Sequence, residues 1–208
     1  NVAFAMKAHT DYSILDACRN INRLDTHFWK GLISNGQPNL SILTAPGDLR
    51  GLEPPLGVEV RQVLRFARSV YDFTIVDLAS SLNRLTLAAL EEVDRAFLIT
   101  TTELPSLHMA KRALQSLGQV GYATDRVGLV LNRISRRDEV TPADVERNLG
   151  VPVFWSFPED HVSTNEFYVK GGLISAKSGL GKSIRQFVEK IPGVKPEAAE
   201  KKKSFLGL

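Results

Sequence analysis

Short runs of contiguous apolar residues alternate along this chain with longer segments whose apolar positions recur every three or four residues. The short runs are Leu40-Ser41-Ile42-Leu43, Phe73-Thr74-Ile75-Val76, Ala96-Phe97-Leu98-Ile99, Val127-Gly128-Leu129-Val130-Leu131 and Val153-Phe154-Trp155. They have strand length and little polar interruption, the pattern of strands covered on both faces. Val2-Ala3-Phe4-Ala5-Met6 reads as a further strand. Between the runs, Gly57 to Tyr71 places Val60, Val63, Leu64, Ala67 and Val70 at helical spacing. Leu82 to Val93 and Leu104 to Val120 read as helices in the same way. Thr141-Pro142-Ala143-Asp144 predicts a helix start, with Thr141 as N-cap and Pro142 in the first turn, and Gly150 closes it. A last helix is predicted from Lys177 to Ile191. Strands alternating with helices predict an α/β fold, a mostly parallel sheet flanked by helices and joined by βαβ crossovers.

Composition narrows the class. The chain has 208 residues, 43% of them hydrophobic, which suits one large domain. No apolar run approaches the ~20 residues of a membrane-spanning helix. Cys18 is the single cysteine, so no intrachain disulfide can form, and a reducing cytoplasm fits. The net charge of +3 sits entirely in residues 190–208, which hold five lysines and two glutamates. Residues 1–189 are neutral and give no compositional case for binding nucleic acid. Asn1 is not a start methionine, so a piece of a longer protein is expected.

In an open parallel sheet, ligands bind beyond the carboxyl ends of the strands. Candidate chemistry is therefore sought just after each apolar run. Phe73–Val76 delivers Asp77, either a magnesium-holding carboxylate of the kind found in phosphate-binding α/β proteins or a turn residue before the next helix. Val127–Leu131 delivers Asn132-Arg133. A carboxamide can donate to one atom of an adenine edge and accept from another, and asparagine also tolerates the left-handed turn that ends many strands. Val153–Trp155 delivers Phe157-Pro158-Glu159-Asp160, either the wall of a base pocket or a turn and helix start. Ala176-Lys177-Ser178-Gly179-Leu180-Gly181-Lys182-Ser183 imitates a phosphate loop but follows no buried strand, and it reads as the polar start of the last helix. There is no Cys-x-x-Cys, no His-Glu-x-x-His and no Gly-x-Ser-x-Gly, which leaves zinc hydrolase, iron–sulfur and serine hydrolase chemistry without support.

Taken in order, Tyr71 to Leu78, Ser81-Leu82-Asn83, Thr86 to Leu90, Thr101 to Leu107 with Ala110-Lys111-Arg112, and Val130 to Arg133 resemble the ParA/MinD-type ATPases. Within them the sequence most resembles the TadZ/CpaE subgroup of Flp (Tad) pilus assembly. Tyr12 to Ala17 and Leu40 to Pro46 fall where that family has a helix and a strand. The resemblance covers about residues 1–191. It implies a P-loop NTPase fold lacking its N-terminal portion, because the family's Walker A strand, loop and helix precede the point where this sequence begins. Residues 192–208 would be a flexible basic tail. The P-loop strand is central in such sheets, so its absence would leave an apolar gap.

By the same resemblance the cofactors are ATP and Mg2+. Asp77 would hold magnesium through water. Asn132, Arg133, Pro158 and Glu159 would form the cofactor-binding loop at adenine, and Ser80, Ser81, Leu82, Asn83 and Arg84 the switch that answers γ-phosphate loss. No catalytic residue is assigned, because the P-loop and signature lysines are not in this sequence. The implied function is an ATP-dependent dimerising switch that localises or assembles a pilus secretion machine. The alternatives are a non-catalytic polar landmark of the same fold, or a partition or cell-division positioning ATPase. Partners would be a second copy and pilus or secretion assembly proteins, at a cytoplasmic, membrane-peripheral or polar location. Lys201, Lys202, Lys203, Phe205 and Leu206 form a basic and apolar end suited to weak contact with anionic lipid, or to a frayed solubilising terminus.

Overall fold

The computed structural model describes residues 2–8, 10–37, 39–46, 53–78, 80–135, 137–171 and 173–194. Its centre is a three-stranded parallel sheet made of β3 (Ala96–Thr100), β4 (Val127–Ile134) and β5 (Val153–Pro158), in that spatial order. The register runs from Ala96↔Val127 to Thr100↔Leu131 on one side of β4 and from Leu129↔Val153 to Ile134↔Pro158 on the other. The crossovers are α6 (Leu104–Gln119), between β3 and β4, and α7 (Pro142–Leu149), between β4 and β5. The expected α/β architecture, a parallel sheet flanked by helices, is the observed one.

Side-chain alternation along β4 explains the layering. Val127, Leu129 and Leu131 point into a core with Leu107, Ala110, Leu114 and Leu117 of α6 and Val145 and Leu149 of α7. Leu129, Leu131 and Val145 are fully buried. On the opposite face, Phe97, Phe154, Trp155 and Phe157 gather around Phe187 of α9 (Gly179–Glu189), with ring centroids 5.2–6.5 Å apart. Gly128 is required there: a Cβ would stand 2.9 Å from the Phe97 ring. The sheet is thus covered on both sides, as the uninterrupted apolar runs predict.

A second core joins α2 (Ile14–Arg19), α3 (Thr26–Leu32) and α4 (Gly57–Val70) to Ala89 of α5 (Arg84–Glu92). Ser13 caps α2 by a reciprocal capping box with Asp16, and the Trp29 indole N–H donates to the Tyr71 hydroxyl at 2.8 Å. Arg61, Arg65 and Arg68 share one face of α4 and pair with Glu91, Glu92 and Asp94. Cys18 lies in this core, and burial, with Glu59 nearby, pushes its thiol up to about 11. At pH 8 about one thiol in a thousand would then be ionised. Labelling by a disulfide reagent is therefore expected to wait for unfolding. Labelling of native protein as fast as a free thiol would contradict the burial.

Several sequence expectations are corrected. Val2–Ala5 is a short helix, α1, and not a strand. Leu40–Ile42 (β2) pairs antiparallel with Ser34–Gln37 (β1) in a hairpin, and it is not in the parallel sheet. Thr44 alone makes a parallel bridge, to Ser13. Phe73–Val76 forms no strand and belongs to no ladder of the described residues, and Phe73 and Ile75 are 53% and 94% exposed. A strand needs a hydrogen-bonded neighbour, and hydrophobic pattern alone does not supply one. β4 runs on past Leu131 to Ile134, and β5 past Trp155 to Pro158. Of the two readings of Phe157–Asp160, the helix start is observed: α8 (His161–Lys170) follows β5. The predicted helix at Thr141 has its capping box with Asp144, and Gly150 takes the left-handed cap at φ 72°.

Candidate functional site

The carboxyl ends of β4 and β5 lie side by side. Along β4 five residues are buried in succession, Asn132 is half-buried and Arg133 is exposed. Between Leu131 and Ile134 the pairing with β5 slips by one residue, from Leu131↔Ser156 to Ile134↔Pro158. That extra residue is a bulge, a device that bends a strand and re-aims a side chain. Arg133 takes φ 57°, so Arg133, and not Asn132, holds the left-handed conformation considered at this turn. A side chain other than glycine held there costs about 1–2 kcal/mol, and such strain concentrates at functional sites. The Asn132 carboxamide oxygen accepts the Arg133 N–H at 3.0 Å, which orients the amide group.

β5 brings its own end to the same place. Pro158 pairs with Ile134, and the Glu159 N–H donates to the Ile134 carbonyl at 3.0 Å. The four residues predicted to frame a base, Asn132, Arg133, Pro158 and Glu159, are therefore brought together. The Glu159 carboxylate lies 3.0 Å from the His161 imidazole, an ion pair when that ring is protonated. β3 is tied in as well: the Thr102 hydroxyl donates to Asp138 at 3.0 Å, and Asp138 accepts the Ser135 N–H at 3.0 Å.

Asp160, the last residue of the stretch delivered by β5, takes the helix-start role. Its carboxylate accepts from the Ser163 N–H at 2.9 Å, the Ser163 hydroxyl at 2.8 Å and the Leu180 N–H at 3.4 Å. It thus caps α8 and meets the first turn of α9. The bond from the Ser163 N–H is the leading cause that holds its carboxyl below the usual range. Asp is a favoured N-cap residue, in keeping with the turn and helix start expected at this stretch. The imitation phosphate loop is explained by the same contact. Ser178 caps α9 by accepting the Gly181 N–H at 2.9 Å, and a Cβ on the buried Gly181 would collide with the Ser175 carbonyl. The amides of this helix start face a carboxylate and a serine of the chain itself, and the element before them among the described residues is helix α8, not a strand.

Asp77 is exposed and lies in the segment 73–78, outside the ladder that unites the other four. Leu78 packs against both cores and fixes where that segment ends. Ser80 and Ser81 are exposed, and the Ser81 carbonyl accepts from the Thr86 hydroxyl at 2.9 Å. Leu82 packs on the sheet-side core. Asn83 caps α5, accepting from the Leu85 and Thr86 N–H groups at 2.9 and 3.0 Å, and Arg84 opens that helix. The described residues contain no group of three or more His, Cys, Asp or Glu arranged to hold a metal. A single carboxylate such as Asp77 fits magnesium, which characteristically keeps water and takes its other ligands from phosphates. Lys201, Lys202, Lys203, Phe205 and Leu206 lie outside the described residues.

A cleft of about 550 Å3 opens beside α2 and α3, apart from these strand ends. Its Asp16 and Asp25 are committed to capping α2 and α3, and its Arg23 lies over the Phe28 ring.

Three carboxylates of the described chain are held below their usual range. Glu92 is lowered by its hydrogen bond from Arg65, Asp144 by those from Thr141, and Asp160 by that from the Ser163 backbone. A depressed folded-state pKa stabilises the protein above the unfolded value, near 4, and that stabilisation is lost as pH falls through the folded value. Thermal melts are expected to hold level from pH 7 to about 5 and to fall below about 4. A midpoint that rises on acidification would contradict this.

The fold is that of the ParA/MinD ATPases. A ParA family ATPase from Chlorobium tepidum superimposes with a TM-score of 0.84 at 22% identity, covering 92% of this chain and 81% of that one. The septum site-determining protein MinD of Pyrococcus horikoshii, solved as a complex with Mg-ADP, gives 0.71 at 19% identity, covering 90% and 76%. In sequence the chain is 25% identical over 177 residues to an uncharacterized ATP-binding protein of Methanocaldococcus jannaschii, covering 84% of this chain and 66% of that protein. It is 22% identical over 130 residues to MinD of Thermotoga maritima, covering 59% and 48%. The chain therefore spans 66% and 48% of the length of these two sequence relatives. No protein-family model matches it. No helix of the described residues is long and apolar enough to cross a membrane.

Proposed function

We propose that the intact protein is an ATP-dependent dimerising switch of the ParA/MinD type. Asn132 and Arg133, with the Pro158-Glu159 loop, frame the adenine. Asp77 holds Mg2+ through water, and Ser80 to Arg84 respond to the γ-phosphate. The observation that carries this reading is the strained bulge at Asn132-Arg133, bonded directly to the Pro158-Glu159 loop at the carboxyl edge of a parallel sheet. The ATP-binding and MinD relatives support it. The phosphate loop would come from residues outside the 208. The exposed apolar segment Phe73–Val76 supports a place for its strand in the sheet.

The task served by the switch is proposed from the resemblance of residues 71–112 to the TadZ/CpaE subgroup: localising or assembling a Flp/Tad pilus machine, in the cytoplasm and at a cell pole. Pilus assembly proteins and a second copy would be the partners, with residues 201–206 available for weak anionic membrane contact. The MinD relatives favour a second reading, a positioning ATPase of cell division.

The base-side assignment is tested by equilibrium binding of ATP and of inorganic tripolyphosphate to the intact protein. Asn132→Ala is expected to weaken ATP by about 1–3 kcal/mol, the worth of a bidentate base contact, and to leave tripolyphosphate unchanged. Equal loss for both, or none for either, would remove Asn132 from the base site.

A further inference from the structure

The loop that carries Pro158 and Glu159 is held from two directions, and one residue supplies the second. On the sheet side the Glu159 N–H is bonded to Ile134. On the helix side Asp160 alone, among the hydrogen bonds described for this loop, reaches both following helices, through Ser163 of α8 and Leu180 of α9. The helix α9 is itself fixed to the sheet. Phe187 sits among Phe97, Phe154, Trp155 and Phe157, and the Trp155 indole N–H donates to the Ser183 hydroxyl at 3.0 Å. Its first turn has no freedom to move inward, because Gly181 is packed against the Ser175 carbonyl. A carboxylate docked on that turn has a rigid anchor.

We propose that Asp160 is a positioning residue for the base-side loop, pinning Pro158-Glu159 to α9 so that the loop's place beside Asn132 depends on a helix that begins 20 residues later. The inference rests on the proposed function for its consequence, nucleotide binding, and on the structure alone for the coupling. A carboxylate that accepts three bonds across two helix starts orders a loop more firmly than a cap confined to one helix.

The test compares Asp160→Ala, Asp160→Asn and Ser178→Ala in the intact protein. Asn keeps an oxygen for the Ser163 N–H, so it guards against simple misfolding of the Ala variant. Ser178→Ala loosens the first turn of α9, the anchor on which Asp160 docks, and removes no atom of the loop. Hydrogen exchange of the Glu159 amide is read without nucleotide. It is expected to quicken at least tenfold in Asp160→Ala, and by smaller factors in Asp160→Asn and Ser178→Ala. With nucleotide, Asp160→Ala is expected to lose about tenfold in ATP affinity and nothing for tripolyphosphate. An unchanged Glu159 amide in Asp160→Ala, or in Ser178→Ala, would overturn the coupling. Equal loss for ATP and tripolyphosphate would overturn the positioning role. Wild-type protein that binds no ATP would sink the proposed function, while the exchange comparison would still decide the coupling.

Discussion

Leu131→Ala is expected to lower the stability of the intact protein by about 2–5 kcal/mol, the range for truncating a buried leucine. Leu131 is fully buried in the core that α6 and α7 build on the sheet, and its neighbours there, Leu129 and Val145, are equally closed to solvent. Both flanking strands hold its backbone, through Thr100 on one side and Ser156 on the other. A framework fixed on both sides relaxes little into a cavity, which places the cost toward the upper part of the range. For a chain of this size the unfolding midpoint should fall by about 5–15 °C. The residue also adjoins Asn132, so the loss of packing reaches the bulge. A midpoint within a degree of wild type would mean that β4 is not the buried centre of the sheet.

Ile75→Lys is the second large effect, and it separates two pictures of one residue. In the described structure Ile75 is 94% exposed, and a lysine there would change stability by no more than about 0.5 kcal/mol. If the intact protein places a strand against Phe73–Val76, as proposed, the lysine would be buried without a partner. The expected loss is then at least about 3 kcal/mol, together with loss of nucleotide binding. Denaturant unfolding of the intact protein distinguishes the two. A near-neutral result would contradict the proposed place of the phosphate-loop strand.

The legible parts of the fold are those whose residues see the same environment locally and globally. β4 was readable because five consecutive residues are buried, and α7 because Thr141, Pro142, Asp144 and Gly150 spell both of its ends. The extension of β4 through Asn132 and Arg133 was not readable, since two polar residues and a left-handed arginine look like a strand's end. Phe73–Val76 carries the same signal as β3 yet joins no ladder here, because pairing depends on a neighbour and not on the run itself. Ser34–Gln37 has no apolar pattern, so the hairpin that turns Leu40–Ile42 antiparallel left no trace. Only the start of helix α8 was legible, because the helix buries no residue: Val162, Tyr168 and Val169 are exposed. Val2–Ala5 shows how short apolar runs serve helix and strand alike. At the site, Asn132 and Pro158-Glu159 were legible as residues that follow strands. Asp160 was visible as a helix start, but its reach to Leu180 was not, because that contact is tertiary.

The central claim, a nucleotide-driven switch, is tested most directly by the mass of the intact protein in solution, measured by light scattering without nucleotide, with Mg-ADP and with Mg-ATP. A monomer is expected in the first two states and a dimer with Mg-ATP, with dimer formation impaired by Asp77→Ala. Protein that binds no Mg-ATP and keeps one mass in all three states would contradict it, and would leave a nucleotide-independent scaffold on the same fold.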